Sequence, residues 1–320
     1  MTKVTFIIPT LNAEKFIINC LFSIYKQSVS RNNYEVFILD GGSSDKTTNI
    51  AEKFKKILPL IIINNKKVDA ESGKRLGIKM SNGKYICLLD ADNEIHVNKW
   101  LEDAILAFEE NYQIWGVESN WITNKNDSLV NQYFSMLKIA DPVAKVFSPS
   151  YKKYLKSDHS KYSIISVDKD ATPIIGANGF FYRKRLVEKE ITKTKKFEEV
   201  NYVAELISNG YTDYALLKRG GIYHDYCHSI RAYARKRKKI ANKFLKRKSI
   251  KQKTWVDKVG KDKFIISILY NLSFVGPLIE SIINIVKSRN IAWIIHPLIS
   301  FLTVVIYAYY YILNKINYDK

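Results

Sequence analysis

Asp90 and Asp92, one residue apart in Leu88-Leu89-Asp90-Ala91-Asp92-Asn93, are the side chains of this 320-residue chain whose type and spacing point most directly to chemistry. Residues two apart on a strand share a face, so two carboxylates ending the apolar run that begins at Tyr85 can grip one hard divalent cation. The competing reading is an Asp/Asn-rich turn closing a buried strand. Asp40 stands in a comparable place, after the run Tyr34-Glu35-Val36-Phe37-Ile38-Leu39 and before Gly41-Gly42-Ser43-Ser44. It reads either as a ligand contact or as a local turn and helix cap.

The elements that must position these residues alternate. Residues 4–12 form a β-rich run that stops at Pro9, and residues 16–25 follow with helical apolar spacing. Residues 34–40 predict a second strand, and a polar helix over 45–56 is capped by Asp45 or Ser44. A third strand over 60–63, a short helix over 73–80 and a fourth strand over 85–90 complete the pattern. Such alternation predicts a mostly parallel, doubly wound sheet, whose ligands bind outside the carboxyl ends of the strands. Thr10, Asp40 and Asp90 all sit at such ends.

Taken in order, Phe6-Ile7-Ile8-Pro9-Thr10-Leu11-Asn12, Ile38-Leu39-Asp40-Gly41-Gly42-Ser43-Ser44-Asp45 and Leu88-Leu89-Asp90-Ala91-Asp92 resemble glycosyltransferase family 2, the inverting nucleotide-sugar enzymes of the GT-A fold. The resemblance implies that Pro9, Thr10 and Asn12 line the nucleoside site and that Asp40 contacts the base. It further implies that Asp92 with Asp90, beside Ala91, holds Mg2+ or Mn2+ on the donor diphosphate. A bridging cation there neutralises charge that grows on the leaving group. Residues 172–183 contain Gly176-Ala177-Asn178-Gly179 and look like the family's small-residue segment lining the donor and acceptor cleft; on composition alone they also read as a bulge or turn. Phe197-Glu198-Glu199-Val200-Asn201 resembles the family's Glu-Asp motif, whose second carboxylate deprotonates the acceptor hydroxyl. That base falls on Glu199, with Glu198 as a second candidate, and Glu in place of Asp is a departure. Two glutamates also suit a helix amino terminus electrostatically. His224 stands where relatives carry a histidine near the metal, a nitrogen donor better suited to Mn2+ than to Mg2+, or else it is a structural histidine. In Gly73-Lys74-Arg75-Leu76-Gly77, Lys74 takes the place of the relatives' arginine and Arg75 that of their asparagine. Both can face phosphate, Lys74 as a point charge without the bidentate fork. The Gln-X-X-Arg-Trp motif of processive synthases does not occur, which implies one sugar per acceptor.

The formal net charge is +20, and its basic residues concentrate over 231–263, a pattern common to nucleic-acid and anionic-lipid binders. The neighbouring sequence favours lipid and no nucleic acid. Residues 264–286 are apolar apart from serines, Asn271, Pro277, Glu280 and Asn284, and residues 291–313 contain no Asp, Glu, Lys or Arg. The second run is long enough to cross a bilayer core of about 30 Å, whereas the first can cross, re-enter or lie in the interface. Lys and Arg before an apolar run fit the cytoplasmic leaflet, and Tyr307, Tyr309, Tyr310 and Tyr311 with Lys315 resemble an interfacial belt. The link Lys287-Ser288-Arg289-Asn290 would face outward against the charge bias, which leaves open a shallow hairpin or a helix pair that forms a homo-oligomer. A hairpin buried against the catalytic domain is the soluble alternative. Cys20, Cys87 and Cys227 have no metal-ligand spacing and predict neither a disulfide framework nor a zinc site. The first residues predict no secretory signal, and hence a cytosolic catalytic domain.

The expected chain is α/β. Residues 1–230 form a GT-A catalytic domain, with a nucleotide-binding half over 1–95 and an acceptor half over 96–230. A basic juxtamembrane linker follows over 231–263, then a C-terminal apolar helical hairpin over 264–320 at or in the cell membrane. The expected activity is metal-dependent, inverting transfer of one sugar from a nucleotide-diphosphate sugar to a hydroxyl of a lipid-linked saccharide at the cytoplasmic membrane face. A polyprenyl-phosphate sugar synthase, whose acceptor is already ionised, is the alternative enzyme. A catalytically silent nucleotide-sugar or anionic-lipid binding protein is the alternative of another class. Residues 127–170 match no motif that would name sugar or acceptor.

Overall fold

Strand β1 (Val4–Thr10) is apolar on both faces, as a strand covered on both sides must be, and it lies inside a nine-stranded sheet. The computed structural model describes residues 2–145, 151–171, 173–192, 196–249 and 260–318. After β1 come α1 (Ile17–Tyr25), β2 (Tyr34–Asp40), α2 (Thr47–Phe54), β3 (Leu60–Asn64), α3 (Ala70–Met80), β4 (Tyr85–Leu88), β5 (Asn93–Ile95), α4 (Trp100–Glu110) and β6 (Gly116–Glu118). Helices α5 (Leu129–Leu137) and α6 (Pro142–Lys145) belong to a second unit. The first unit resumes with β7 (Leu155–Asp158), β8 (Tyr162–Ser166), β9 (Phe180–Arg183), α7 (Lys184–Ile191), α8 (Glu199–Ser208), β10 (Asp213–Leu217) and β11 (Ile222–His224). The chain continues with α9 (Ile230–Ser249), α10 (Lys261–Leu272), α11 (Val275–Ser288), a 3₁₀ turn (Ile291–Ile295) and α12 (His296–Tyr318).

The sheet order is β3-β2-β1-β4-β9-β6-β10-β8-β7. Its first four strands are parallel, as the alternation of elements predicts. Its second half is mixed: β9 runs antiparallel to both β4 and β6, and β8 antiparallel to β10 and β7. Alternate residues feed the two faces. Phe6 and Ile8 join Val36, Ile38 and Cys87 under α1 and α4, while Ile7 joins Phe37, Leu39 and Leu88 on the face covered by α3, α7 and α8. Helix α3 lies close to β1 because Gly77 has no side chain; a Cβ there would come within 2.8 Å of Ile7 Cγ2. Asp69 starts this helix by accepting bonds from the Ser72 amide and hydroxyl.

Three boundaries differ from the sequence expectation. Strand β4 stops at Leu88, so Asp90 and Asp92 lie in the turn before β5 and not on a strand. The run over 264–286 is broken at Ser273 and Phe274, where the positive φ of Phe274 turns α10 and α11 through 74°. The expected hairpin is therefore three helices. The expected linker begins inside α9, whereas residues 250–259, with Lys251 and Lys253, and residue Thr172 lie outside the described residues.

The second unit joins Thr123–Ser148 to Asp225–Lys320 and is helical among its described residues. Tyr133 on α5 donates to or accepts from His296 Nδ1 at 2.7 Å, and its ring meets Trp293 edge-on. One stretch, Ile291–Leu313, is long and apolar enough to cross a membrane, and half of it is buried within the protein.

Candidate active site

The parallel register sets Thr10 opposite Asp40, and Asp40 opposite Asn64, so the strands end together at one edge of the sheet. Asp40 is buried there, and its carboxylate is occupied by its own turn. Oδ2 accepts from the Gly42 and Ser43 amides, each at 3.0 Å, and Oδ1 from Ser43 Oγ at 2.5 Å and Thr10 Oγ1 at 3.3 Å. A ligand reaching this carboxylate must displace a hydroxyl. Asn12, in the left-handed region at φ 52°, clasps the same loop through the Ser44 amide at 2.9 Å. Thr10, Asn12 and Asp40 thus share one wall, with Pro9 in the same strand end.

The turn after β4 is organised by Asn93, a buried residue whose role no sequence pattern marks. Its Oδ1 accepts from the Asp90 amide at 3.1 Å, and its Nδ2 reaches Asn178 Oδ1 at 3.2 Å and Asp92 Oδ1 at 3.4 Å. Antiparallel pairing of β5 with β11 sets His224 opposite Asn93, which brings His224 Nε2 within 3.5 Å of Asp92 Oδ1. Trp121 packs edge-on against that imidazole. One carboxylate oxygen and one imidazole nitrogen at this separation can both bind a single divalent ion at about 2.1 Å, so the pair fits the cation that the family resemblance implies. Among the described residues no group of three or more His, Cys, Asp or Glu converges on one ion position. Further ligands would then be phosphate oxygens and water, the habit of Mg2+ sites.

Asp90 turns to a different partner. Lys74 Nζ lies 3.6 Å from Asp90 Oδ1 and is hydrogen-bonded to Glu199 Oε1. Burial alone would lower the Lys74 pKa, but the Asp90 and Glu199 carboxylates outweigh it and hold the ammonium above the usual lysine range. Lys74 is therefore charged and joins the turn after β4 to the first residue of α8. Glu198 faces elsewhere, accepting from Asn201 Nδ2 at 2.6 Å, and Arg75 donates to the Ile191 carbonyl at 3.0 Å. Glu199 and Asp90 are thus joined through Lys74.

The small-residue segment fits around this group. Gly176 adopts φ +118°, and a Cβ there would meet Tyr182 Oη at 2.3 Å and Glu199 Cβ at 3.1 Å. Tyr182 donates to the Gly176 carbonyl at 2.7 Å, and burial, reinforced by the Glu199 charge, pushes its phenol well above the ordinary range. Gly179 bonds the Leu88 carbonyl through its amide at 2.7 Å and accepts from Ser119 Oγ at 2.8 Å. Ala177 and Asn178 complete this loop, and Asn178 Oδ1 accepts from Asn93 Nδ2 at 3.2 Å.

A family profile described as Glycosyl transferase family 2 matches residues 5–189. Among curated proteins, the chain is 31% identical over 114 residues to poly(ribitol-phosphate) beta-N-acetylglucosaminyltransferase TarS of Staphylococcus aureus, a match covering 35% of this chain and 20% of TarS. It is 34% identical over 94 residues to a Methanococcus voltae dolichyl N-acetyl-alpha-D-glucosaminyl phosphate 3-beta-D-2,3-diacetamido-2,3-dideoxy-beta-D-glucuronosyltransferase, covering 28% of this chain and 29% of that protein. The chain thus spans about a sixth to a third of the length of the curated relatives it matches. Among solved structures, S. aureus TarS 1–349 superposes with a TM-score of 0.52 at 16% identity over 95% of this chain and 90% of that one. The Pyrobaculum calidifontis mannosyltransferase PcManGT, solved with GDP-Man and Mn2+, superposes with a TM-score of 0.55 at 14% identity over 96% and 87%. These likenesses show the GT-A fold, a mixed α/β sheet followed here by an apolar helix. With more than half of its length matched by the family profile, this chain belongs to glycosyltransferase family 2.

Proposed function

We propose that the chain transfers one sugar, with inversion, from a nucleotide-diphosphate sugar to an acceptor hydroxyl, with Glu199 as the base. The observation that carries this reading is the single cation, Lys74, held between Asp90 and Glu199. It supports Glu199 of the Glu-Asp-like motif as the base, through its shared partner with Asp90. In the proposed step a Glu199 oxygen takes the proton of the acceptor hydroxyl as that oxygen attacks the anomeric carbon. The bond from that carbon to phosphate breaks, and the nucleoside diphosphate leaves with the electron pair. Mg2+ or Mn2+ held by Asp92 and His224 would supply charge neutralisation on the diphosphate. Lys74 has three N–H donors, so it can bind a phosphate oxygen while retaining a carboxylate.

The acceptors of two relatives support one carrying phosphate or lipid: ribitol-phosphate polymer for TarS and a dolichyl phosphate sugar for the Methanococcus protein. With the apolar C-terminal helices, they support a lipid-linked saccharide at the cytoplasmic membrane face as the acceptor.

The test is release of nucleoside diphosphate from a panel of nucleotide sugars, with and without extracted membrane lipid and with Mn2+ or Mg2+. Glu199→Gln is expected to cut turnover by roughly 10²–10⁴-fold with donor affinity retained, since general-base catalysis contributes about that much. Asp92→Ala is expected to abolish the metal response. Near-normal turnover of Glu199→Gln on polyprenyl phosphate would replace this reading with the synthase, and donor binding without turnover in wild type would replace it with the silent scaffold.

A further inference from the structure

Helix α11 is inside out. Val275, Leu278, Ile279, Ile282, Ile283 and Val286 recur at helical spacing on one stripe, and all are exposed, Val286 to 73%. The buried residues are Pro277 and Ser281, with Glu280, Asn284 and Ile285 half-buried beside them. Ser281 Oγ donates to the Trp293 carbonyl at 2.6 Å. Glu280 accepts from Tyr270 Oη at 2.7 Å, pairs with Lys145 and lies 3.3 Å from His296 Nε2. Helix α10 repeats the arrangement: Ser267 and Asn271 are buried, Ser267 donating to the Val143 carbonyl at 2.9 Å, while Ile265 and Leu269 are exposed. Polar side chains inward and aliphatic ones outward reverse the pattern of a helix bathed by water.

Helix α12 is tied sideways to α9. Tyr233 Oη bonds Thr303 Oγ1, and one turn further on Arg237 Nη1 bonds Tyr307 Oη at 3.2 Å. Along the same stretch α9 exposes Arg231, Arg235, Lys238 and Lys239. A crossing by α12 in this arrangement would carry those four charges into hydrocarbon, where such groups are strongly disfavoured. With the helices lying in the plane of the surface, the charges reach headgroups and the stripe reaches acyl chains.

We infer that the second unit docks in-plane on an anionic lipid surface through the outer stripe of α11, extended by Ile265 and Leu269 of α10, and that α12 does not cross. This deepens the membrane-acceptor reading above and rests on it. Charge selects the occupant. A second copy of a chain with net charge +20 is repelled, whereas anionic headgroups are attracted, and Lys263, Lys287 and Arg289 are exposed beside the apolar helices.

Flotation of the full chain with phosphatidylcholine vesicles, with and without phosphatidylglycerol, tests this. Wild type is expected to float only with phosphatidylglycerol, less so in high salt, and to be extracted from native membranes by alkaline carbonate. The pair Ile282→Asp with Val286→Asp, and separately Leu278→Asp, are expected to lose flotation by about tenfold or more while retaining hydrolysis of a soluble donor. Carbonate-resistant protein, unchanged flotation of both variants, or a salt-stable dimer that the variants dissolve and that binds no vesicles would each overturn the inference. Failure of the transferase reading is distinct: donor hydrolysis would then be absent in every variant, whatever floats.

Discussion

Replacing Lys74 by methionine removes one charge and keeps most of the side-chain volume. Its side chain is 8% exposed, that of Glu199 12% and that of Asp90 33%, so the ammonium and one carboxylate are nearly dry and the other is partly screened. At an effective dielectric of about 20, unit charges at the 3.6 Å Lys74–Asp90 separation attract by roughly 5 kcal/mol. Desolvation of the partners offsets most of this, so the intact group contributes little net stability. Removing one member is different, because the others stay buried without compensation, at about 3 kcal/mol. Lys74→Met is therefore expected to destabilise the first unit by about 3 kcal/mol. The double variant with Glu199→Gln should be less destabilised than the sum of the two singles by about 2 kcal/mol. Denaturant unfolding followed by the fluorescence of Trp100 and Trp115, both buried in this unit, measures the cycle. Single-variant effects that add to within about 0.5 kcal/mol would refute the Lys74–Glu199 contact and, with it, the placement of the base.

Gly176→Ala places a Cβ against Tyr182 Oη and Glu199 Cβ at a positive φ, so it should lower turnover by at least about tenfold through a displaced base while the chain still folds. Steady-state kinetics beside circular dichroism separates that effect from unfolding. For Asp69, hydrogen bonds from Ser72 and the Lys196 ion pair overcome the upward push of burial and hold the carboxyl at about 2. A depressed folded pKa gives stability that is present above the ordinary aspartate value of about 4 and lost as pH falls towards the folded one. Asp69→Ala should cost about 1 kcal/mol at neutral pH, with the deficit shrinking below about pH 4 in denaturant titrations.

The first ninety residues are legible in the sequence because each element there is specified locally. Tyr34–Asp40 is a strand whose bounds match the alternation, and the other strands and helices of this stretch lie within two or three residues of their expected ends. The antiparallel insertion of β9 was not legible, since pairing between Phe181 and Cys87 depends on contacts far apart in the chain. In the site, motif order alone pointed to Asp40, Asp90, Asp92, Glu199 and His224. What it could not supply was orientation. Lys74, read as a phosphate contact, bonds Glu199, and Arg75, read the same way, bonds the end of α7. Neither helix periodicity nor residue type distinguishes two adjacent cations whose directions are set by the glycines that seat α3 on the sheet. Asn93 was invisible for a related reason: a single asparagine in a turn is common, and only burial reveals that it holds three residues at once.

The divided second unit has a consequence for synthesis. Helix α5 emerges from the ribosome before β7 to β11, yet Tyr133 and Phe134 on it find Trp293, His296, Tyr226 and Tyr233 only after the chain has advanced past residue 296. At about 5–20 residues per second, that interval is on the order of ten to thirty seconds. During it the nascent chain carries an aromatic surface whose partners have not yet been made. Early termination after His224 would make that surface permanent. The chain therefore has a built-in demand for shielding during translation, and a chaperone or the lipid surface itself, arriving before the last helix, would serve it.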